Sequence, residues 1–289
     1  MAIKVSIVVA AKNARQLLQG LLESVDALPR ACREACQLII VDAASGDGTF
    51  AWLAREAAAD RIPPVAWLSE PDTGIADAWN KGVGLARGEW LVFLGADDRL
   101  AVGTAFGDAI ATLDKQSADT MAVSFPIVVF GLPHADSVTC SPVLGRGNAA
   151  FFQVNTLPHQ GVFHRREAWQ RHGLFDTRFT VAADYEFLLR LIKSGESIVV
   201  ADSAPPVRMA AGGISKQNPL LVLREFRRAQ ILHGIGGMRW RWWAGWMKAL
   251  AGRVTAAIFG ERVRLHFAHR FRGMTVPVIP HVSIGATRK

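Results

Sequence analysis

The sequence predicts an α/β fold, a doubly wound sheet of mainly parallel strands with helices on both faces. Short, nearly continuous apolar runs alternate with longer amphipathic stretches through the first half of the chain, as expected for strands that are buried on both faces. Strand–helix–strand alternation also favours parallel pairing. Half of the 289 residues are apolar, so the chain can form a large core, and disordered and collagen-like classes are excluded.

Each predicted element follows from these periods. The predicted strands of the first half are residues 5–10, 38–41, 65–68 and 90–94, and the predicted helices are 15–28, 49–58 and 75–86. The second half is less regular, and its predicted elements are a strand over 121–130, a long loop over 131–148, helices over 165–173 and 183–194, and a strand over 197–201. Paired prolines and glycines near residue 210 then predict two regions: a globular domain over 1–210 and a helical, basic appendage over 211–289.

The net charge of +8 is unevenly distributed. Residues 1–223 contain 20 Lys and Arg against 23 Asp and Glu, whereas residues 224–289 contain 13 against 2. A uniformly basic nucleic-acid-binding protein is therefore disfavoured, and no nucleic-acid partner is predicted. The three cysteines are too few for a disulfide framework and form no metal-binding pair, which favours a reducing compartment.

Acidic residues follow three of the predicted strands. Asp42 follows the second strand, Asp72 the third, and Asp97 and Asp98 the fourth. Any one of them could be a helix cap or turn residue. Three such strand ends at one edge of a parallel sheet instead predict a ligand site, because clustered carboxylates repel one another unless a cation or donor compensates.

The adjacent Asp97 and Asp98 form a hard-oxygen site suited to Mg²⁺ or Mn²⁺, which commonly share their ligands with a substrate phosphate. The chain has no GxGxxG after a strand and no GxxxxGK[ST], which disfavours dinucleotide dehydrogenases and P-loop nucleotidases. A diphosphate bridged by a metal ion remains.

Five motifs in order resemble those of family 2 glycosyltransferases over about residues 3–205. The resemblance implies the GT-A fold, a Rossmann-like, nucleotide-binding mixed sheet flanked by helices. Lys12-Asn13 ends the first strand, Asp42 to Thr49 matches D-x-x-S-x-D-x-T, and residues 69–82 are similar to E-x-D-x-G…D-A-x-N-x-G. Asp97-Asp98 stands at the place of the DXD-like metal motif. Residues 182–190 resemble the E-D helix of the family, with Ala183 in place of the acid before Asp184.

The resemblance implies roles for individual residues in binding the donor. Asp42 would accept hydrogen bonds from the nucleobase, and Asp72 would help to hold the nucleoside. Asn80 and Lys81 would shape the donor pocket, although Lys81 could equally be a solvated helix lysine. Asp97 would face the ribose or the metal. Asp98 would bind the divalent ion, Mn²⁺ or Mg²⁺.

Asp184 would be the general base that takes the proton of the acceptor hydroxyl. If Asp184 instead caps the helix that follows it, Glu186 is the next candidate. His159 would lie near the acceptor, with a buried structural histidine as the alternative.

A tryptophan-rich pattern in the appendage predicts contact with an anionic membrane. Aromatic and aliphatic side chains recur three or four residues apart between basic ones, as in interfacial amphipathic helices; these residues are Arg239, Trp240, Arg241, Trp242, Trp243, Trp246, Met247, Lys248, Leu250, Arg253, Val254 and Ile258. The alternative is that this segment packs on the catalytic domain. The chain has no apolar stretch of about 18 residues, so no membrane-spanning helix is predicted. Processive members of the family carry a Q-x-x-R-W motif. Arg239-Trp240 lacks the Gln of that motif, which favours a non-processive enzyme.

The resemblance therefore implies an inverting enzyme that adds one sugar, from a UDP- or GDP-sugar, to a lipid-linked saccharide acceptor in cell-surface polysaccharide synthesis. The expected location is the cytoplasm, at the cytoplasmic face of the inner membrane.

Two alternative functions remain. A sugar-phosphate nucleotidylyltransferase would be expected to carry a Gly-rich basic signature that residues 9–13 lack. A non-catalytic membrane- or nucleic-acid-binding protein would leave the acidic strand ends unexplained. The oligomeric state is left open.

Overall fold

The computed structural model describes residues 2–58, 62–132, 135–212, 218–236 and 247. They form two β-sheets and the helices packed on them. The strands are β1 (Val5–Ala11), β2 (Cys36–Asp42), β3 (Val65–Ser69), β4 (Trp90–Gly95), β5 (Arg99–Leu100), β6 (Thr120–Ser124), β7 (Ile127–Leu132), β8 (Ala135–Cys140), β9 (Val162–Arg165), β10 (Ser197–Val200) and β11 (Val207–Ala210). The α-helices are α1 (Arg15–Asp26), α2 (Arg30–Glu34), α3 (Thr49–Ala58), α4 (Ile75–Leu85), α5 (Ala105–Asp114), α6 (Glu167–His172), α7 (Ala183–Lys193) and α8 (Pro219–Leu232).

The larger sheet has seven strands in the order β10-β6-β9-β4-β1-β2-β3. All neighbouring pairs are parallel except the two that involve β9, which runs antiparallel to β4 and β6. The predicted α/β class and the mixed sheet implied by the resemblance are both confirmed. The predicted elements of the first half agree with the observed bounds to within two residues, because continuous apolar runs and helical periods are local signals.

Both faces of this sheet are buried. Ile7 and Val9 of β1 belong to the core cluster that includes side chains of α1, α3 and α5. Val8, which points the other way, belongs to the cluster that includes side chains of α4, α6 and α7. This alternation along one strand explains why the sequence of β1 is apolar throughout.

Two predictions for the second half are wrong. Residues 121–130 are not one strand: β6 and β7 lie in different sheets, and Pro126 between them lacks the N–H that a continuous ladder would need. Residues 131–148 are not all loop, because β8 pairs antiparallel with β7. The smaller sheet has the order β5-β11-β7-β8, so β8 is an edge strand. Edge strands tolerate polar side chains. Because the sequence of β8 therefore lacks a continuous apolar run, it did not predict a strand.

The described part of the appendage packs on the domain before it. Helix α8 buries Val222, Glu225, Ala229 and Gln230, and its Phe226 ring lies 4.6 Å from the Tyr185 ring of α7. The predicted tryptophan-rich segment lies outside the described residues, apart from Met247. Among the helices of the described ranges, none has the length and apolarity to cross a membrane.

His164 of β9 is a buried, neutral histidine at the centre of the aromatic core. The residue is 0% exposed, and its ring lies 5.4 Å from Trp169 and 5.6 Å from Phe187. Neither ring nitrogen has a hydrogen-bond partner among the described residues. Burial, with a smaller effect of His159, lowers the pKa of His164 to about 3.

This histidine should make the fold sensitive to acid. In the unfolded chain His164 takes up a proton near its ordinary pKa of 6.5, whereas the folded protein does so only near 3, so the free energy of unfolding falls as pH drops below about 6.5. Between pH 7 and 5 the loss is about 2 kcal/mol. We expect His164→Phe to remove that part of the fall, measured by denaturant unfolding at both values. Phe163→Leu, a neutral core change on the same strand, should keep it. A full-sized fall in His164→Phe would contradict this assignment.

Candidate functional site

The topology brings the polar strand ends to one edge of the larger sheet. Strands β1 to β4 are parallel, so their carboxyl ends meet there. Because β9 is antiparallel, the turn His159–Gly161 that precedes it lies at the same edge. Helix α7 leads back into β10, which is parallel to β6, so the amino end of α7 also faces this edge. Open α/β sheets bind ligands at this position.

Asp42, the last residue of β2, is fully buried and holds the loop that follows it. Its carboxylate accepts hydrogen bonds from the Ser45 amide at 3.0 Å, from the Ser45 hydroxyl, and from the Ser69 hydroxyl at 2.7 Å. Among the described residues, Oδ1 accepts from the Ser45 hydroxyl alone and keeps one unused lone pair. The predicted contact of Asp42 with a nucleobase is untested, and what the structure shows is a carboxylate that joins the ends of β2 and β3.

The loops after β1 and β2 are joined to each other. The Asn13 amide donates to Ser45 Oγ at 2.7 Å, and Asn13 Oδ1 accepts from the Gly46 amide at 3.1 Å. Asn13 has a φ of 47°, a left-handed conformation that Asn adopts more readily than most residues. The residues of the first two sequence motifs therefore build one wall at the sheet edge.

Two of the predicted donor-side residues, Asp72 and Lys81, support the loop that adjoins α4. Asp72 Oδ1 accepts from the Gly74 amide at 3.1 Å, just before α4. Lys81 Nζ donates to the Pro71 carbonyl at 2.8 Å and lies 2.9 Å from Glu70 Oε1. Burial lowers the pKa of Lys81, but the pairing with nearby carboxylates outweighs this and raises it. With 18% of its side chain exposed, Lys81 is held by the loop rather than free in solvent.

Asn80 joins α4 to the segment that precedes α7. Its amide nitrogen donates to the Phe175 carbonyl at 3.0 Å, and its amide oxygen accepts from the Phe175 N–H at 2.9 Å. Both polar ends of Asn80 are thus occupied by backbone. Any effect of Asn80 on a donor would come through the position of Phe175 and its neighbours.

Asp97 and Asp98 differ in their surroundings. Asp98 is 2% exposed, and its two oxygens accept from the Gly95 amide at 2.7 Å and the Ala210 amide at 3.0 Å. Burial raises the pKa of Asp98 to about 6, with a further contribution from Asp97, while the hydrogen bonds from Gly95, Ala210 and the Gln160 side chain oppose the rise. Asp97 is half-buried, and within the described ranges its carboxylate accepts no hydrogen bond.

These two carboxylates fit a divalent ion that completes its shell with a substrate. No group of three or more His, Cys, Asp or Glu side chains among the described residues forms a metal site on its own. Mg²⁺ and Mn²⁺ are commonly held by one or two carboxylates plus substrate phosphates and water. Among the described residues Asp97 offers free oxygens, and Asp98 keeps one lone pair beyond those that accept from Gly95, Ala210 and Gln160. A cation would also favour the charged form of Asp98, which burial penalises.

His159 lies between the acidic pair and α7. Its ring packs on Trp79 at 4.4 Å and on Phe93 at 5.8 Å, and its Nδ1 lies 3.9 Å from Asp184 Oδ2. Neither ring nitrogen has a hydrogen-bond partner within the part of the chain that the structure describes. Burial lowers the pKa of His159, although Asp184 acts in the opposite direction. The ring is therefore neutral, with unused hydrogen-bonding groups beside a carboxylate.

Asp184, in the first turn of α7, is oriented by a neighbouring amide. Asn155 Nδ2 donates to Asp184 Oδ2 at 2.9 Å. The N-cap residue of α7 is Ala182, so the alternative in which Asp184 is the N-cap is not what the structure shows. Burial raises the pKa of Asp184, while His159, backbone amides and Asn155 oppose this. A carboxylate with a raised pKa is a stronger base than an exposed one.

Glu186, the other predicted candidate on α7, is paired with Arg190 and His233. Arg190 Nη2 lies 2.6 Å from its Oε2, and His233 Nε2 lies 2.9 Å from its Oε1. The residue is 5% exposed. This arrangement joins α7 to the end of α8 and leaves Asp184 as the better-placed candidate for the base.

The structure thus brings together Asp98, His159 and Asp184, connected through Gln160 and Asn155, whereas Asp42 and Asp72 follow β2 and β3 farther along the edge. Sequence reasoning missed Asn155 and Gln160. Gln160 adjoins the predicted His159 in the sequence. Asn155 carries no local signal, because its partner Asp184 is 29 residues away.

The model of the family described as "Glycosyl transferase family 2" matches residues 6–172, more than half of the chain. The chain belongs to this family. The matched range contains the predicted donor and metal residues as well as His159, and it ends before Asp184. This glycosyltransferase is also 29% identical over 193 residues to a PGL/p-HBAD biosynthesis glycosyltransferase of Mycobacterium bovis, covering 64% of this chain and 68% of that one. An uncharacterised glycosyltransferase of Mycobacterium tuberculosis is 29% identical over 231 residues, 79% of this chain and 84% of its own.

Solved structures show the GT-A fold predicted from the sequence. The mannosyltransferase PcManGT of Pyrobaculum calidifontis, in complex with GDP-Man and Mn²⁺, has a TM-score of 0.58 at 18% identity and covers 96% of this chain and 82% of that one. S. aureus TarS has a TM-score of 0.55 at 18% identity over 78% of this chain, which spans 39% of TarS. A shorter TarS, residues 1–349 with UDP-GlcNAc, has a TM-score of 0.57 at 17% identity, over 78% of this chain and 66% of its own.

Proposed function

We propose that this family 2 glycosyltransferase transfers one sugar, with inversion at the anomeric carbon, from a UDP- or GDP-sugar to a saccharide acceptor. The observation that carries the proposal is the placement of the Asp97–Asp98 pair and the buried Asp184 at one sheet edge, with His159 and Gln160 between them. A general base opposite a diphosphate site is the arrangement that a single displacement requires.

The chemistry divides between the two carboxylate groups. Asp184 takes the proton of the acceptor hydroxyl as its oxygen attacks the anomeric carbon. The bond from that carbon to the diphosphate breaks, and its electron pair leaves with the nucleoside diphosphate. A divalent ion held by Asp97 and Asp98, when bound, stabilises the charge of the leaving diphosphate as a Lewis acid. Asn155 orients the base, and the neutral His159 offers a hydrogen-bonding group to the acceptor.

The donor side rests on the residues near β2, β3 and α4. Asp42 and Asp72 are proposed to hold the base and nucleoside, with Asn80 and Lys81 keeping the walls of the pocket in place. The complexes of structural neighbours with GDP-Man and with UDP-GlcNAc support a nucleotide-sugar donor. Family membership favours sugar transfer over the nucleotidylyl transfer considered as an alternative.

The acceptor is proposed to be lipid-linked, with the enzyme at the cytoplasmic face of the inner membrane. Support comes from the outer face of α8, where Arg224 and Arg228 are exposed next to Ile231 and Leu232, which are 61% and 54% exposed. Basic and apolar side chains side by side suit an anionic lipid surface. The pattern continues into the tryptophan-rich segment of the sequence.

A nucleotide panel tests the function. We expect one of UDP, GDP, CDP and dTDP to raise the melting temperature by about 5–10 °C at about 100 times its Kd, because a ligand bound only by the folded state stabilises it. Mn²⁺ should enlarge that shift, and EDTA should remove the enlargement. AMP with Mn²⁺ is the control for non-specific binding. If none of the four diphosphates shifts the melting temperature, the transferase proposal fails.

A further inference from the structure

Glu225 of α8 binds the backbone that leads into α7. The residue is 6% exposed, and its carboxylate accepts three backbone hydrogen bonds: from Thr180 at 2.8 Å, Val181 at 2.8 Å and Ala182 at 3.0 Å. Three N–H donors satisfy a buried carboxylate that would otherwise be costly to desolvate.

This contact replaces a cap that the sequence of α7 lacks. The N-cap position is Ala182, whose side chain makes no hydrogen bond. The amino end of a helix has unsatisfied N–H groups and a partial positive charge. Glu225 supplies the negative group from a helix more than 40 residues later in the chain, and the base candidate Asp184 is only two residues beyond Ala182.

A second residue of α8, Gln230, binds the chain segment that leads to Asn155, the hydrogen-bond donor to Asp184. Gln230 Nε2 donates to the Phe152 carbonyl at 3.2 Å and to the Gln153 carbonyl at 3.1 Å. This segment continues to Asn155, which donates to Asp184. Helix α8 therefore binds both chain segments that meet at the proposed base.

We propose that Glu225 is a positioning residue for the transfer reaction, which fixes the amino end of α7 so that the Asp184 carboxylate points at the acceptor site. The inference rests on the proposed function, in which Asp184 is the base. It assigns to the start of the basic appendage a part in catalysis as well as in attachment.

The test is Glu225→Gln. The amide keeps one acceptor oxygen but turns an NH₂ group toward backbone N–H donors, so at least one hydrogen bond is lost and the segment shifts. We expect kcat to fall between about tenfold and a hundredfold, the range that a small misplacement of a catalytic group costs. The Kd of the nucleotide diphosphate should stay within about twofold. Glu225→Asp, which keeps the charge on a shorter side chain, should restore part of kcat. If Glu225→Gln does not fold, kcat and the nucleotide Kd of Glu225→Asp are compared with those of the wild type instead.

Hydrogen exchange supplies a readout that does not need activity. Amide exchange over residues 180–186 should accelerate in Glu225→Gln. The matched control is Glu196→Gln, which removes a partly buried carboxylate beyond the carboxyl end of α7, paired with His172 at 2.6 Å; it should change neither kcat nor that exchange. Wild-type kcat in Glu225→Gln, unchanged exchange, or equal losses of kcat and nucleotide affinity would each overturn the proposal. A wild type that transfers no sugar while exchange still responds would refute the proposed function and, with it, the part of Glu225 in transfer. The role of Glu225 in fixing the amino end of α7 would stand.

Discussion

Replacing Asp184 with asparagine is expected to lower kcat by about 10²–10⁴-fold, the usual contribution of a positioned general base. Asparagine preserves the shape of the side chain and can still accept the hydrogen bond from Asn155, but it cannot take a proton. Nucleotide affinity should remain at the wild-type value, because Asp184 lies at the amino end of α7 rather than near β2 and β3, where the nucleoside is proposed to bind.

The measurements are kcat for sugar transfer, and nucleotide binding by thermal shift. Asp176→Asn is a matched control, because Asp176 precedes the same helix but is paired with Arg178 at 2.7 Å; its kcat should be close to wild type. A wild-type kcat in Asp184→Asn would remove Asp184 as the base.

The pH profile should carry the signature of the same residue. Burial raises the pKa of Asp184 above the range of an exposed aspartate, despite opposing contributions from His159 and Asn155. Since the base works only when deprotonated, kcat should rise with pH through this raised pKa, and the acid limb should be absent from the residual activity of Asp184→Asn.

Asp97→Asn is expected to lower the metal-supported kcat by about 10²–10³-fold, because a Lewis-acid metal contributes several kcal/mol to the transition state. The half-buried Asp97 is the better test of the metal site. Asp98 also holds the backbone of Gly95 and Ala210, so its replacement would disturb the join between β4 and β11 as well.

Thermal shift with and without Mn²⁺ separates metal binding from nucleotide binding. In Asp97→Asn the shift caused by the nucleotide alone should persist, and the additional shift caused by Mn²⁺ should disappear. Asp119→Asn, which alters an exposed carboxylate before β6, is the control and should keep both. An unchanged Mn²⁺ effect in Asp97→Asn would place the metal elsewhere or exclude it from the reaction.

The candidate site was predictable where its residues are close in sequence to the strands that carry them. Asp42 ends one strand with a strong apolar signal, and Asp97 and Asp98 follow another; parallel strands place such residues at one edge. The partners that orient Asp184 were not predictable, because Asn155 and Glu225 reach it from distant segments. The sequence marks Glu225 in one way only: it is one of two acidic residues in the basic region 224–289.

The sequence by itself determined the α/β class, the first half of the large sheet and the identity of the carboxylates at its edge, because strand and helix periods and strand-end residues are local properties. Only the tertiary structure decided that β9 runs antiparallel and carries His159 to that edge, and that β6 and β7 separate into two sheets. It also decided that the first helix of the basic appendage holds the segment before Asp184. These features depend on hydrogen bonds between residues far apart in the chain, which no local pattern records.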